Sequence, residues 1–418
     1  MSPSLPFMTL HDAFGKVAKA NSQRVAVRSN GRELTYAGLD EWSERLAESI
    51  KGFLGDAPEP VITLIGLSEY FHVCALGIMK AGKIAAQLKT EQSDPDLMLQ
   101  LETVGSRLIL TTDDYLPTVE RLAKRPTAIY LVDRMEFWRL ERSVPLLAVF
   151  NHDVAFLDFT SGSTGRPKGV VHAHGPNVAL ASDDGQAYGL EPGDRVGQNR
   201  AGMAGYRWAL AALLCGATLI CRSARESAEH GLVAWINEEK PSVLAVLASS
   251  FRYLMTTGER FLSLRIIEVG GEMVDGGDVE LYKEKFADAC KFVCRYATSE
   301  VGLVSRLIYT KDSAIVPGRL PVGYPAPGVE VRILDDDLSE LPDGMMGEIA
   351  VRSPYMALGY WRDAQLTAAK FKDDDKGRFG LTGDYGYIKE GCLYHAGRKD
   401  FQGEVKAKFN KERTPGGI

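Results

Sequence analysis

The stretch Phe156-Leu157-Asp158-Phe159 leads into Thr160-Ser161-Gly162-Ser163-Thr164-Gly165-Arg166-Pro167-Lys168-Gly169, and Val170-Val171-His172 leads out. It is an apolar run, a loop of hydroxyls and glycines carrying a lysine, and a second apolar run. Glycines let backbone N–H groups crowd round an anion, hydroxyls add donors, and Lys168 adds a point charge. That combination suits a polyphosphate. The P-loop of common nucleotide hydrolases is excluded, because its lysine is followed by Ser or Thr opening a helix, whereas Lys168 is followed by Gly169. A flexible Ser/Gly linker has a similar composition, but here strand-like apolar runs stand on both sides.

A chain of 418 residues is too long for one small core and predicts two or three subdomains. Hydrophobic residues make up 45% and charged residues 25%, as in soluble globular proteins. A net charge of -6 gives no electrostatic footprint for nucleic acid. No apolar run approaches a membrane span, and Met1 to Lys16 lacks a signal-peptide apolar region, so a cytoplasmic protein without membrane partners is expected. Cys74, Cys215, Cys221, Cys290, Cys294 and Cys392 form no CxxC pair. They read as buried thiols. Cys290 and Cys294 on one helix face, as half of a metal site, is the weaker alternative. His172 and His174 read as packing or hydrogen-bonding residues.

Apolar runs and helical periodicities alternate along the first three quarters of the chain. Val25-Ala26-Val27 and Glu33-Leu34-Thr35-Tyr36 read as strands joined at Asn30-Gly31, and Leu39, Trp42, Leu46 and Ile50 recur at helical spacing. Residues 61–67, 107–111 and 128–132 read as strands and Glu69–Lys80 as a helix. Farther on, residues 208–215 and 232–239 read as helices, and 217–221, Val243–Leu247 and 264–269 as strands. This rhythm predicts an α/β fold with two subdomains built on mainly parallel sheets, 1–168 and 169–316. From Pro317 the strands shorten and glycine and proline become frequent, which predicts a small β-rich, barrel-like subdomain over 317–399. Residues 400–418 remain as a hinge and short tail. The acidic runs Asp335–Asp337 and Asp373–Asp375 read as solvated turns.

Three further motifs follow the hydroxyl loop in order. Gly270-Gly271-Glu272 closes an apolar run, as an ordinary strand-to-helix turn also would. Tyr296-Ala297-Thr298-Ser299-Glu300 joins an aromatic ring, hydroxyls and a carboxylate; a helix start capped by Thr298 or Ser299 would look similar. Thr382-Gly383-Asp384 lies thirteen residues before Gly397-Arg398-Lys399-Asp400. Taken in this order, with Leu34–Asp40, Gly347-Glu348-Ile349 and Gly359-Tyr360-Trp361, the set resembles the adenylate-forming superfamily from Leu34 to Asp400. That superfamily includes acyl- and aryl-CoA synthetases, luciferases and peptide-synthetase adenylation domains.

The resemblance implies the N-terminal domain of that fold and a site for ATP and Mg²⁺. Thr160, Ser161, Gly162, Ser163, Thr164, Gly165 and Lys168 would hold the phosphates. Gly271 and Glu272 would border the adenine, Tyr296 would stack on it with Ala297 beside it, and Ser299 would meet phosphate. Glu300 would be the metal carboxylate, Asp384 would accept from the ribose hydroxyls, and Arg398 would approach ribose or phosphate. Lys168, Glu300 and Arg398 are thus the expected catalytic residues. Ala297 stands where the family has glycine, and Ser299 where it has threonine. Met203, Tyr206, Trp208, Phe251, Val301 and Gly302 would line the pocket for a small carboxylic acid, an aryl or short acyl one, since no clear aspartate is placed to clamp an α-amine.

The reaction implied is formation of an acyl-adenylate and pyrophosphate, followed by transfer to an acceptor, with CoA a candidate. The family continues for about a hundred residues past the hinge, a domain's worth, whereas this sequence runs eighteen residues beyond Asp400. Two expectations therefore stand side by side. One is an active acid–thiol ligase. The other is a nucleotide- or acyl-adenylate-binding core that takes a C-terminal domain or acceptor protein in trans.

Overall fold

Helix Tyr36–Leu54 starts where Thr35 caps it: the Thr35 hydroxyl accepts the Gly38 N–H, and Leu39, Leu46 and Ile50 then fall on one buried face. Tyr36, expected to close a strand, is its first residue. Helix Glu69–Lys80 is buried almost all round and ends before Gly82, whose φ of +68 no side-chain-bearing residue adopts easily. Helix Asp94–Val104 runs from the Ser93 cap to Gly105, at φ +65. The computed structural model describes residues 8–123, 127–140, 153–160, 167–222, 229–315 and 320–401. Two compact units result, Met1–Leu244 and Ala245–Ile418.

In the first unit one sheet runs in the order Lys168–Ala173, Val154–Thr160, Ile84–Leu88, Pro60–Leu64, Leu108–Thr111, Ala128–Leu131, Glu136–Arg139. Its inner pairs are parallel and its two outer pairs antiparallel. Nearly continuous apolar strands such as Pro60–Leu64 are the mark of a sheet covered on both faces. In a second sheet Arg195–Gln198 pairs parallel with Thr218–Cys221, which pairs parallel with Val25–Ser29. The N-terminal hairpin thus joins the sheet formed by much later residues. A line drawn between residues 168 and 169 passes through the hairpin Val154–Thr160/Lys168–Ala173.

The second unit contains the parallel pair Ile266–Gly270 and Lys291–Thr298, with Gly302–Tyr309 added antiparallel. It also holds the small β-rich element: Glu330–Leu334, Gly347–Arg352, Phe371–Asp374, Gly377–Lys389 and Cys392–Arg398 form a five-stranded antiparallel sheet. Its core joins Ile333, Ile349, Val351 and Leu393 to Tyr296, Val301 and Val304. The fold is thus α/β with mainly parallel sheets plus a small β-rich element.

Several local readings need correction. Cys290 and Cys294 share no helix; Cys294 lies within strand Lys291–Thr298 and Cys290 just before it. Asp374 is a paired strand residue, its carboxylate accepting from Arg352 Nη2 at 2.8 Å. Among the described residues no helix is long and apolar enough to cross a membrane.

Candidate functional site

In the first unit, Thr160 and Lys168 face each other as paired residues at the loop end of an antiparallel hairpin. The pairing fixes both ends of the hydroxyl loop. Ser161, Gly162, Ser163, Thr164 and Gly165 lie outside the described residues. The neighbouring histidines act as packing groups: His172 stacks on Phe156 at 4.8 Å between ring centroids, and His174 Nδ1 accepts the Leu10 N–H at 3.3 Å. Of the expected pocket residues, Met203 and Tyr206 are buried on helix Gly202–Leu214, with the Tyr206 ring 6.1 Å from that of Phe71. Trp208, on the same helix, donates through Nε1 to Gly197 O at 3.3 Å.

In the second unit the sequence Tyr296–Glu300 forms a strand end and a hairpin tip. Thr298 pairs with Gly302, and Ser299, Glu300 and Val301 form a three-residue loop between them. Gly302 supplies the positive φ, +73, that such a loop requires. Val301 N–H donates to Thr298 Oγ1 at 3.2 Å, which tightens the loop. No helix starts here. Val301 is buried in the shared core, while Phe251 sits in an aromatic cluster with Phe286 and Phe292. Ala297 is exposed beside a bulge that separates it from Tyr296.

The tip places Glu300 against Tyr360. The phenol donates to Glu300 Oε1 at 2.6 Å, and the Ala357 N–H donates to the Glu300 carbonyl at 2.8 Å. Burial, and after it the charge of Glu300, pushes the Tyr360 phenol up, so it remains a donor. Glu300 Oε2 stands outside that bond. Among the described residues no group of three or more His, Cys, Asp or Glu side chains is placed to hold a metal. One hard carboxylate oxygen, completed by substrate phosphates and water, is the manner in which Mg²⁺ is usually held, so Glu300 fits that ion.

Asp384 is held by three side chains. It is 4% exposed on strand Gly377–Lys389. Tyr296 donates its phenol to Oδ2 at 2.7 Å, His395 Nε2 lies 3.6 Å from the same oxygen, and Arg398 Nη1 donates to Oδ1 at 3.2 Å. Burial works to raise the Asp384 carboxyl, but the His395 hydrogen bond and charge, the Tyr296 phenol and Arg398 together hold it below the usual carboxylate range. An ionised carboxylate offers about four lone-pair sites, of which these three donors leave about one, room for a ligand hydroxyl. The sheet register aligns Asp384 with Arg398 across Gly377–Lys389 and Cys392–Arg398.

Gly271, at φ +75, turns the chain out of strand Ile266–Gly270. Glu272 then accepts from Ser249 N at 2.7 Å and Ser249 Oγ at 3.1 Å, at the start of helix Ala248–Thr256, where a carboxylate is favoured. The structure thus brings Tyr296, Asp384 and Arg398 together. It adds His395 and Tyr360, which sequence reasoning left unassigned. Gly359-Tyr360-Trp361 was visible as a motif, but nothing in it pointed to Glu300.

Residues 14–361 match the family described as AMP-binding enzyme. The chain is 28% identical over 386 residues to the fatty acid–[acyl-carrier-protein] ligase ScoC of Streptomyces coeruleorubidus, covering 87% of this chain and 72% of that ligase. It is 25% identical over 412 residues to tyrocidine synthase 1 of Brevibacillus parabrevis, covering 95% of this chain and 37% of the synthase. Among solved structures, the Klebsiella oxytoca NpsA N-terminal subdomain in complex with 3-hydroxybenzoyl-AMSN superimposes with a TM-score of 0.79 at 22% identity. That match covers 94% of this chain and all of the other, and it supports the fold.

Proposed function

The chain belongs to the AMP-binding enzyme family, and from that membership we propose that it activates a carboxylic acid with ATP, giving an acyl-adenylate and pyrophosphate. A carboxylate oxygen of the acid attacks the α-phosphorus; the new O–P bond forms as the bond to the bridging oxygen of the leaving pyrophosphate breaks. A thiol, of CoA or of a carrier protein, then takes the acyl group and releases AMP. The observation that carries this reading is Asp384, a buried carboxylate kept ionised by Tyr296, His395 and Arg398 at the turn where the family grips ribose.

In this reading Asp384 accepts from the ribose hydroxyls and Arg398 stands beside it. Tyr296 carries the adenine, with Ala297, Gly271 and Glu272 along its edge. Thr160, Lys168 and the intervening hydroxyl loop hold the phosphates, and Ser299 adds a donor. Glu300 would hold Mg²⁺, which when bound neutralises charge on the phosphates. Lys168 and Arg398 supply fixed positive charge where negative charge develops at phosphorus. The acid would be aryl or short acyl and would lie against Met203, Tyr206, Trp208, Phe251, Val301 and Gly302. The 3-hydroxybenzoyl-AMSN bound to NpsA supports the aryl part of that range.

Pyrophosphate exchange across a panel of benzoates and short and medium acyl acids tests the proposal. Exchange that depends on one class of acid is the expected result. Calorimetric binding of ATP and of an acyl-AMP mimic with no exchange for any acid would give the chain a binding role instead.

A further inference from the structure

Glu348 carries a charge, yet its side chain is only 7% exposed. Its two oxygens bind different partners. Oε1 accepts the Gly383 N–H at 3.2 Å, and Oε2 accepts Lys399 Nζ at 2.6 Å. Gly383 is the middle of Thr382-Gly383-Asp384 and stands at φ +76. The same turn is pinned by the Thr382 hydroxyl, which donates to Ile349 O at 2.9 Å and accepts the Asp384 N–H at 3.1 Å. Lys399 directly follows Arg398, whose guanidinium is bound to Asp384. One carboxylate therefore grips the turn before Asp384 and the strand end that carries Arg398. Burying a charge is costly unless it is paired and hydrogen-bonded, and Glu348 is both. Lys399 is fixed further by Asp336, 3.6 Å away, and by the face of Tyr385, 6.0 Å from its ammonium.

We propose that Glu348, paired with Lys399, is a positioning residue for the nucleotide: it sets the turn and the strand end that aim Asp384 and Arg398 at the ribose. The inference rests on the reading of Asp384 as the ribose carboxylate. Neither Glu348 nor Lys399 is assigned a contact with substrate. They act by removing freedom from groups that have one, so that less ordering is needed when the nucleotide binds.

The test is calorimetric titration of the full chain with Mg·ATP for Glu348→Gln, Lys399→Met, Lys399→Arg and Asp384→Ala, with unfolding midpoints measured alongside. Glu348→Gln and Lys399→Met are each expected to raise Kd for ATP about tenfold, the size of one charge-assisted hydrogen bond. The double variant should be no worse than either alone. Lys399→Arg should restore affinity, because a guanidinium reaches the same oxygen. In exchange assays KM for ATP should rise while kcat changes little. Wild-type affinity in both Glu348→Gln and Lys399→Met, with weak binding by Asp384→Ala, overturns the positioning role and leaves the ribose reading standing. Wild-type affinity in Asp384→Ala overturns both. A loss that Lys399→Arg fails to rescue, or that follows a fall in Tm, marks a merely structural pair and also overturns the proposal.

Discussion

At the scale of single residues, the candidate site turns on two carboxylates, Asp384 and Glu300, each held by neighbouring donors. Asp384 spends some of its capacity on Tyr296, His395 and Arg398 and stays ionised as a result. Glu300 gives Oε1 to the Tyr360 phenol, which orients the carboxylate; in the proposed reading Oε2 is the oxygen offered to Mg²⁺. Groups that orient a metal ligand typically change metal affinity by about tenfold or more when removed. Tyr360→Phe deletes one oxygen and keeps the ring. It is expected to weaken the Mg²⁺ dependence of ATP binding about tenfold while leaving AMP binding without metal unchanged. Calorimetry at a series of Mg²⁺ concentrations reads both. An unchanged Mg²⁺ titration would remove Glu300 from the metal site or Tyr360 from its support. Such partners were not legible in the sequence. Tyr296 and Asp384 are 88 positions apart, and a motif names the ends of such a contact without saying that they touch.

At the scale of elements, what was legible depended on local signals. Helix Glu69–Lys80 and strand Val243–Leu247 have the bounds that periodicity and flanking residues predict. Ile84–Leu88 is not legible in the sequence because Ala85-Ala86-Gln87 carries no strand signature, and neighbours on both sides of the sheet supply the order instead. The turn at Glu300 resembled a helix cap because Thr298 and Ser299 suit either; Gly302 and the antiparallel register decide it. Register also explains Gly386, in the strand that bears Asp384. A Cβ there would lie 2.5 Å from the Tyr394 carbonyl oxygen and 2.7 Å from Ile349 Cδ1. The first of these atoms is backbone and cannot move aside cheaply. Gly386→Ala is expected to destabilise the protein by about 1–3 kcal/mol, the usual range for overpacking. Denaturant unfolding measures it, and a change within error would mean that the five-stranded sheet is looser than its register implies.

At the scale of the whole molecule, stability should depend on pH through buried histidines of the first unit. His72 is fully buried, its Nε2 bonded to Gln198 Oε1 at 2.9 Å, and burial brings its pKa down to about 4. His174 is lowered to about 4 by burial and by the nearby His11, and His172 is driven well below its usual value of 6.5, chiefly by burial. Each is neutral in the folded chain at a pH where the unfolded chain would protonate it. The unfolded state then binds more protons, so stability is complete above pH 6.5 and falls as the pH drops from there toward 4. Each imidazole adds a slope of up to about 1.4 kcal/mol per pH unit in that window. The lowered carboxyl of Asp384 acts with the same sign but only in stronger acid, below 3.8. The expected result is a steep loss of unfolding free energy between pH 6.5 and 5, measured by urea titration, while ATP affinity at pH 6 stays near its neutral value. His72→Gln should flatten the slope even if it lowers stability at neutral pH. A slope unchanged in that variant would show that His72 takes up its proton without unfolding, and the acid sensitivity would then belong to other groups.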